Sequence, residues 1–152
     1  MATYLADTNL LLRLADSASP QHAIATEALA QLFRRGDEVF LTPQNFIEFW
    51  AVATRPVEAN GFGWNRERTA REVVELQKRF PLLDESSEIF ARWLELVKQF
   101  PISGKRVHDA RLVAVLQTYG VENLITFNLS DFAGFPSLSL VDPRSLDVPL
   151  RE

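Results

Sequence analysis

Cysteine is absent from the 152-residue chain. That excludes disulfides, thiolate zinc sites and cysteine nucleophiles, and it fits a reducing cytoplasmic compartment. Histidine is nearly absent, with only His22 and His108. No apolar run approaches the eighteen or so residues of a membrane span. The start, Met1 to Asp7, has no basic region and no long apolar stretch, so it does not read as a secretory signal. Positive charge is also short: 16 Lys and Arg against 20 Asp and Glu give a net charge of −4. This balance argues against extensive nonspecific binding along a nucleic-acid backbone. A local basic rim remains open to Arg34-Arg35, Arg66, Arg68, Arg71, Lys78-Arg79 and Lys105-Arg106.

Apolar residues make up 47% of the chain, including 11 Phe and 3 Trp. That is enough for one well-packed core, and the length suits one domain spanning residues 1–152. Tyr4-Leu5-Ala6 reads as a buried strand that turns at Asp7-Thr8-Asn9 into a helix opening on Leu10, with Asp7 or Asn9 as its cap. Ala23, Ile24, Ala28, Leu29, Leu32 and Phe33 recur at helical spacing, and Gly36-Asp37 ends that helix. Val39-Phe40-Leu41 is a second strand. Pro43 then begins a helix from about Gln44 to Thr54, with Phe46, Phe49, Trp50 and Ala53 on one apolar face.

Helices are expected from about Asn65 to Lys78, from Glu85 to Phe100, and from Lys105 to Tyr119 with Gly120 as C-cap. Phe80-Pro81-Leu82-Leu83 reads as a short edge strand, Leu124 to Phe127 and Leu138 to Val141 as further strands, and Asn128 to Phe132 as a tight turn or one-turn helix. Short apolar runs alternating with helices indicate an α/β fold, a mostly parallel sheet covered on both faces. Such sheets bind ligands beyond the carboxyl ends of their strands, near a reversal of strand order. Asp7 and the pair Asn128 and Asp131 follow different strands, so parallel strands would bring them to one edge.

Four acids stand out. Asp7 sits between a strand and a helix, where a plain N-cap is the simplest alternative. Glu48 has Gln44 and Val52 one turn away on a helix otherwise crowded with Phe, Trp and Ala. A carboxylate bordering that surface must reach solvent, a partner or a cation. Asp109 precedes Leu112, Val113 and Leu116 at three, four and seven residues, which puts it on the inward side of its helix. The helix dipole favours an acid there but does not account for burial. Asp131 lies in the turn after the strand that ends at Phe127, where it and Asn128 also suit turn capping. His108 points roughly 100° around the helix from Asp109, which suits packing or hydrogen bonding rather than metal ligation.

Oxygen ligands without cysteine or paired histidine favour Mg2+ or Mn2+ over zinc. A cation held by Asp7, Glu48, Asp109 and Asp131 is suited to hydrolysing a phosphodiester. Thr8, Asn9, Thr126 and Asn128 are candidates for orienting these acids or the substrate.

These residues carry a resemblance. Tyr4-Leu-Ala-Asp7-Thr-Asn9, Glu48 on a helix ending at Thr54-Arg55-Pro56, Gly104-Lys-Arg-Val-His-Asp109-Ala110 and Leu124-Ile-Thr-Phe-Asn128-Leu-Ser-Asp131-Phe132 together resemble the motifs of PIN-domain proteins. The closer likeness is to the VapC-type toxins of bacterial toxin–antitoxin pairs. The resemblance implies a three-layer α/β/α fold and an Mg2+- or Mn2+-dependent endoribonuclease leaving 5′-phosphate and 3′-hydroxyl ends. It also implies a homodimer and a small VapB-like antitoxin partner. Asp7, Glu48 and Asp109 match its acidic positions. Many members carry aspartate where this chain has Asn128, so the fourth acidic role passes to Asp131.

Two other readings stay open. One is an aspartyl-phosphate phosphatase with Asp7 as nucleophile, although Asn9 stands where that chemistry would place a second aspartate. The other is a noncatalytic binding module of the same fold.

Overall fold

The computed structural model describes residues 1–135 and 137–146; the end of the expected 1–152 unit, residues 147–152, lies outside that range. Four strands, β1 (Thr3–Ala6), β2 (Glu38–Phe40), β3 (Asn123–Ile125) and β4 (Ser139–Val141), form one sheet in the order β2-β1-β3-β4. Every pairing is parallel: Leu5 stands beside Phe40 on one side and Leu124 on the other, and Leu124 pairs with Leu140.

Alternation along these short strands divides the core in two. Tyr4, Ala6, Val39 and Ile125 face one buried cluster, shared with Leu10, Leu29, Leu32, Phe49 and Leu76. Those residues come from α1 (Thr8–Ala15), α2 (His22–Arg34), α3 (Pro43–Thr54) and α4 (Arg66–Arg79). Leu5 and Leu124 face the other cluster, with Ile89 and Leu96 of α5 (Ser87–Gln99) and Leu112, Val113 and Leu116 of α6 (Arg106–Tyr119). The result is the expected three-layer α/β/α sandwich.

Three local differences from the sequence expectation have physical causes. Phe80 to Leu83 is not a strand: Leu82 makes a single parallel bridge to Leu41 at the sheet edge, where Pro81 offers its carbonyl to Leu41 N but has no N–H to extend a ladder. The third strand ends at Ile125 rather than Phe127, because beyond it the Asn9 amide and the Thr126 hydroxyl, not a neighbouring strand, take the backbone N–H groups of Phe127 and Asn128. Trp50 does not share the buried face of Phe49 and Ala53 but is 36% exposed. The glycine at the end of α6 behaves as expected, since Gly120 adopts φ +64° and closes the helix.

The strand order places the reversal between β1 and β3. From β1 the chain goes to β2 on one side; from β3 it goes to β4 on the other. The carboxyl ends of β1 and β3 therefore open the crevice where ligands bind in sheets of this kind.

Candidate active site

Asp7 stands at that crevice, immediately after β1. It is the N-cap of α1, and its Oδ1 accepts the Thr8 backbone N–H at 2.8 Å. Its Oδ2 accepts from the Thr126 hydroxyl at 2.8 Å and from Asn9 Nδ2 at 3.1 Å. Asn9 Nδ2 also reaches Thr126 Oγ1 at 3.2 Å, and Asn9 Oδ1 takes the Phe127 N–H at 3.3 Å. The two strand ends are thus stitched together around one buried carboxylate. Thr8, Asn9 and Thr126, all candidates from the sequence, each donate a hydrogen bond to this acid.

Glu48 comes from α3. Its Oε1 accepts from the Thr8 hydroxyl at 3.1 Å and from Gln44 Nε2 at 3.3 Å, which couples α3 to the first turn of α1. Asn45, fully buried, fixes the start of α3 beside β1: its Nδ2 donates to Ala6 O at 3.0 Å and Thr8 Oγ1 at 3.2 Å, and its Oδ1 accepts the Thr42 N–H at 2.9 Å. Gln44 Nε2 also donates to His108 O at 2.8 Å, in the first turn of α6. Gln44, Asn45 and Arg111, which donates to Gln44 Oε1 at 3.3 Å, were not among the sequence candidates. Only the spacing of Gln44 one turn before Glu48 hinted at a role.

Asp109 is half-buried in the first turn of α6, with Leu112, Val113 and Leu116 buried beneath it as the helical spacing required. Asp131 is half-buried in the 3-10 turn Leu129–Phe132. Asn128 is exposed, and only its backbone N–H joins the network, donating to Thr126 Oγ1 at 2.9 Å. His108 is exposed, consistent with a hydrogen-bonding role through its backbone.

The four acids share one electrostatic neighbourhood. Burial pushes the Asp7 carboxyl up to about 6; the Thr126 and Thr8 hydrogen bonds oppose this, while the charges of Glu48 and Asp131 add to it. Asp109 is pushed up to about 7, first by burial and then by Asp7, Asp131 and Glu48, against a smaller pull from Arg106. Glu48 is also raised by burial, against its hydrogen bonds from Thr8 and Gln44 and the nearby His108. Carboxylates that raise one another's proton affinity form a site lacking positive charge.

The oxygen-only donor set and this shared charge fit Mg2+ or Mn2+. Among the described residues, however, no three His, Cys, Asp or Glu side chains already stand close enough together to hold a metal ion. The fit is therefore one of donor chemistry and charge rather than of finished coordination geometry.

Several of the cations that could have formed a local basic rim have other partners. Arg34 pairs with Glu27 and Lys78 with Glu75, while Arg68 lies over the Trp64 ring and Arg79 near Phe80. These cations serve the surfaces of α2 and α4. Arg106 is the one that acts on Asp109.

A PIN-domain family model matches residues 4–134. The ribonuclease VapC24 of Mycobacterium tuberculosis is 28% identical over 149 residues, covering 93% of this chain and 97% of its own. VapBC2 from Rickettsia felis, solved bound to a DNA fragment from its promoter, superposes with a TM-score of 0.71 at 16% identity, covering 92% of this chain and 98% of that one. VapBC-1 from nontypeable Haemophilus influenzae gives 0.69 at 20% identity, covering 93% and 98%. These two solved structures share the fold. No helix among the described residues is long and apolar enough to cross a membrane.

Proposed function

The chain belongs to the PIN-domain family and is homologous to the VapC-type ribonucleases, and from that premise we propose that it is an endoribonuclease that hydrolyses RNA phosphodiester bonds with Mg2+ or Mn2+. The observation that carries this reading is the crevice itself, where Thr8 gives its backbone N–H to Asp7 and its hydroxyl to Glu48, and where Asp7, Asp131 and Glu48 repel the charge of Asp109. One divalent cation would relieve that repulsion.

Asp7, Glu48 and Asp109 would hold the ion, with Asp131 completing the shell in place of the acid missing at Asn128. When bound, the cation would polarise the phosphodiester and lower the proton affinity of an attacking water. Thr126 and Asn9 keep Asp7 aimed into the crevice, and Thr8 and Gln44 do the same for Glu48. Hydrolysis would add water at phosphorus and break the bond to the 3′ oxygen, leaving 5′-phosphate and 3′-hydroxyl ends.

We further propose a toxin role, a small antitoxin partner, a homodimer and a cytoplasmic setting; the VapBC structures that share the fold support the antitoxin partner. The phosphatase reading fares worse: Asn9 stands where that chemistry needs a general acid, and a carboxamide that donates to Asp7 has no acidic proton to supply. A noncatalytic binding module would retain the fold without cutting RNA.

Incubating antitoxin-free protein with structured and single-stranded RNA, with and without Mn2+, separates these readings. Metal-dependent cleavage lost in Asp109→Asn supports the nuclease. No cleavage of any RNA, with partner binding intact, would leave the binding module.

A further inference from the structure

Beside the four acids lies a second, smaller hydrogen-bond unit. Gln44 is buried, with 6% of its surface exposed, and sits one turn before Glu48 on α3. Its amide nitrogen makes two contacts, to His108 O at 2.8 Å and to Glu48 Oε1 at 3.3 Å. Its amide oxygen accepts from Arg111 Nη1 at 3.3 Å. Arg111 is held in turn by the Glu85 carboxylate, just before α5.

The amide can satisfy these partners in one orientation only. Guanidinium has no acceptor, so it must face the amide oxygen; a carbonyl and a carboxylate have no donor, so they must face the NH2 group. Reversing the amide would set N–H against N–H on one side and oxygen against oxygen on the other. Arg111 and the His108 carbonyl therefore act together to fix which end of Gln44 meets Glu48, Arg111 from the oxygen side. Its own charge is shared with Glu85, so it serves as an orienting clamp rather than a free cation facing the pocket.

The consequence is geometric. The one Gln44 nitrogen that grips Glu48 also grips the carbonyl adjoining Asp109, tying two acids from α3 and α6 to a single point. Thr8 approaches the same Glu48 oxygen, Oε1, from α1 at 3.1 Å. Two donors thus hold Oε1, and among the described residues no donor takes Oε2.

We infer that Gln44, oriented by Arg111, is a positioning residue that fixes the spacing between Glu48 and Asp109 and leaves Glu48 Oε2 free to meet a divalent cation. The inference rests on the nuclease reading for the cation, but the brace itself does not. It differs from ordinary helix packing because it assigns Arg111 no effect except through Gln44. Hydrogen-bonded groups behind metal-binding side chains commonly change metal affinity by about 10–100-fold.

The test uses the full chain with Gln44→Met, which keeps length and removes both polar ends, Arg111→Met, and the double variant. Mn2+ affinity is measured by titration calorimetry on the metal-free protein, and RNA cleavage is followed at limiting and saturating Mn2+. Gln44→Met is expected to bind Mn2+ about tenfold more weakly, with kcat reduced at limiting Mn2+ and KM for RNA unchanged. Arg111→Met should move both readouts the same way by less, and the double variant should be no worse than Gln44→Met alone. Arg111→Lys, which keeps a donor, should recover most of the loss.

Wild-type Mn2+ affinity in Gln44→Met, or additive losses in the double variant, overturns the inference. Should Gln44→Met fail to fold, Arg111→Met and Arg111→Lys carry the comparison. A metal-independent measurement separates this inference from the nuclease reading. The Gln44 side-chain amide protons should exchange slowly with solvent by NMR in the metal-free protein and exchange faster in Arg111→Met. A wild-type chain that neither binds Mn2+ nor cuts RNA would sink the nuclease reading, and the amide exchange would still decide the brace. Rapid exchange in the wild type rejects the brace itself.

Discussion

The Thr126 hydroxyl donates to Asp7 Oδ2 at 2.8 Å, joining the carboxyl ends of β1 and β3 at the point where the strand order reverses. Asp7 already caps α1 through Oδ1, so one side chain closes a helix, bridges two strands and faces the crevice. The charges of Glu48 and Asp131 act there on both Asp7 and Asp109.

Thr126→Val tests that junction, because valine keeps the shape and removes the donor. Thr126 is fully buried, and losing the hydrogen bond should cost about 1–3 kcal/mol in urea unfolding. If Asp7 is held for a cation, Mn2+ affinity should also fall about tenfold. Lost stability with unchanged Mn2+ affinity would make the bond purely structural.

Asp109→Asn should abolish metal-dependent RNA cleavage, falling by at least about 100-fold. It should also raise the thermal midpoint of the metal-free protein, since it removes a carboxylate raised to about 7 by burial and three like charges. Differential scanning calorimetry distinguishes this from an inactive, misfolded variant, whose midpoint would drop.

Asp131 and Asn128 should not be equivalent. Asp131 acts electrostatically on both Asp7 and Asp109, whereas Asn128 is exposed. Asp131→Asn should weaken Mn2+ binding and slow cleavage, while Asn128→Ala should stay within about twofold of wild type by the small effect usual for exposed sites. Equal losses would return the fourth role to Asn128.

The metal-free protein should lose stability as pH rises. For Asp7, the folded pKa of about 6 lies above the ordinary aspartate value of 3.8, so the folded state binds more protons between those values. Its contribution is fully present below about 3.8 and is lost as pH passes through about 6. A shift of this size corresponds to roughly 2–3 kcal/mol. Asp109, raised to about 7, extends the same trend to neutral pH. Urea midpoints from pH 4 to 8 should therefore decline without metal and flatten with saturating Mn2+. A metal-free midpoint that rises over this range would contradict the shared charge of the four acids.

Asn45→Leu should be among the most damaging single changes outside the acids. Asn45 is fully buried and its amide satisfies Ala6 O, Thr8 Oγ1 and the Thr42 N–H. Leaving those groups unpaired should cost about 2–4 kcal/mol in urea unfolding, where an ordinary helix-start residue would cost less than about 1 kcal/mol.

Local chemistry made much of this protein legible in its sequence. Short apolar strand runs, period-3.6 helices, Gly120 as a C-cap and Asp7 between strand and helix all follow from interactions within a few residues, and apart from Phe80–Leu83 and the end of the third strand the structure has them where the pattern put them. The order of the four motifs was enough to identify the family, because each motif is local. Tertiary structure decided what depends on residues far apart in the chain. The strand order β2-β1-β3-β4 brings Asp7 beside Thr126, 119 positions away. Gln44 reaches His108 across 64 positions and Arg111 across 67. Neither Gln44 nor Arg111 has an unusual local setting, since a polar residue near a helix start is ordinary. Their roles arise only when α3 and α6, on opposite faces of the sheet, meet through Gln44, and no periodicity within either helix encodes that meeting.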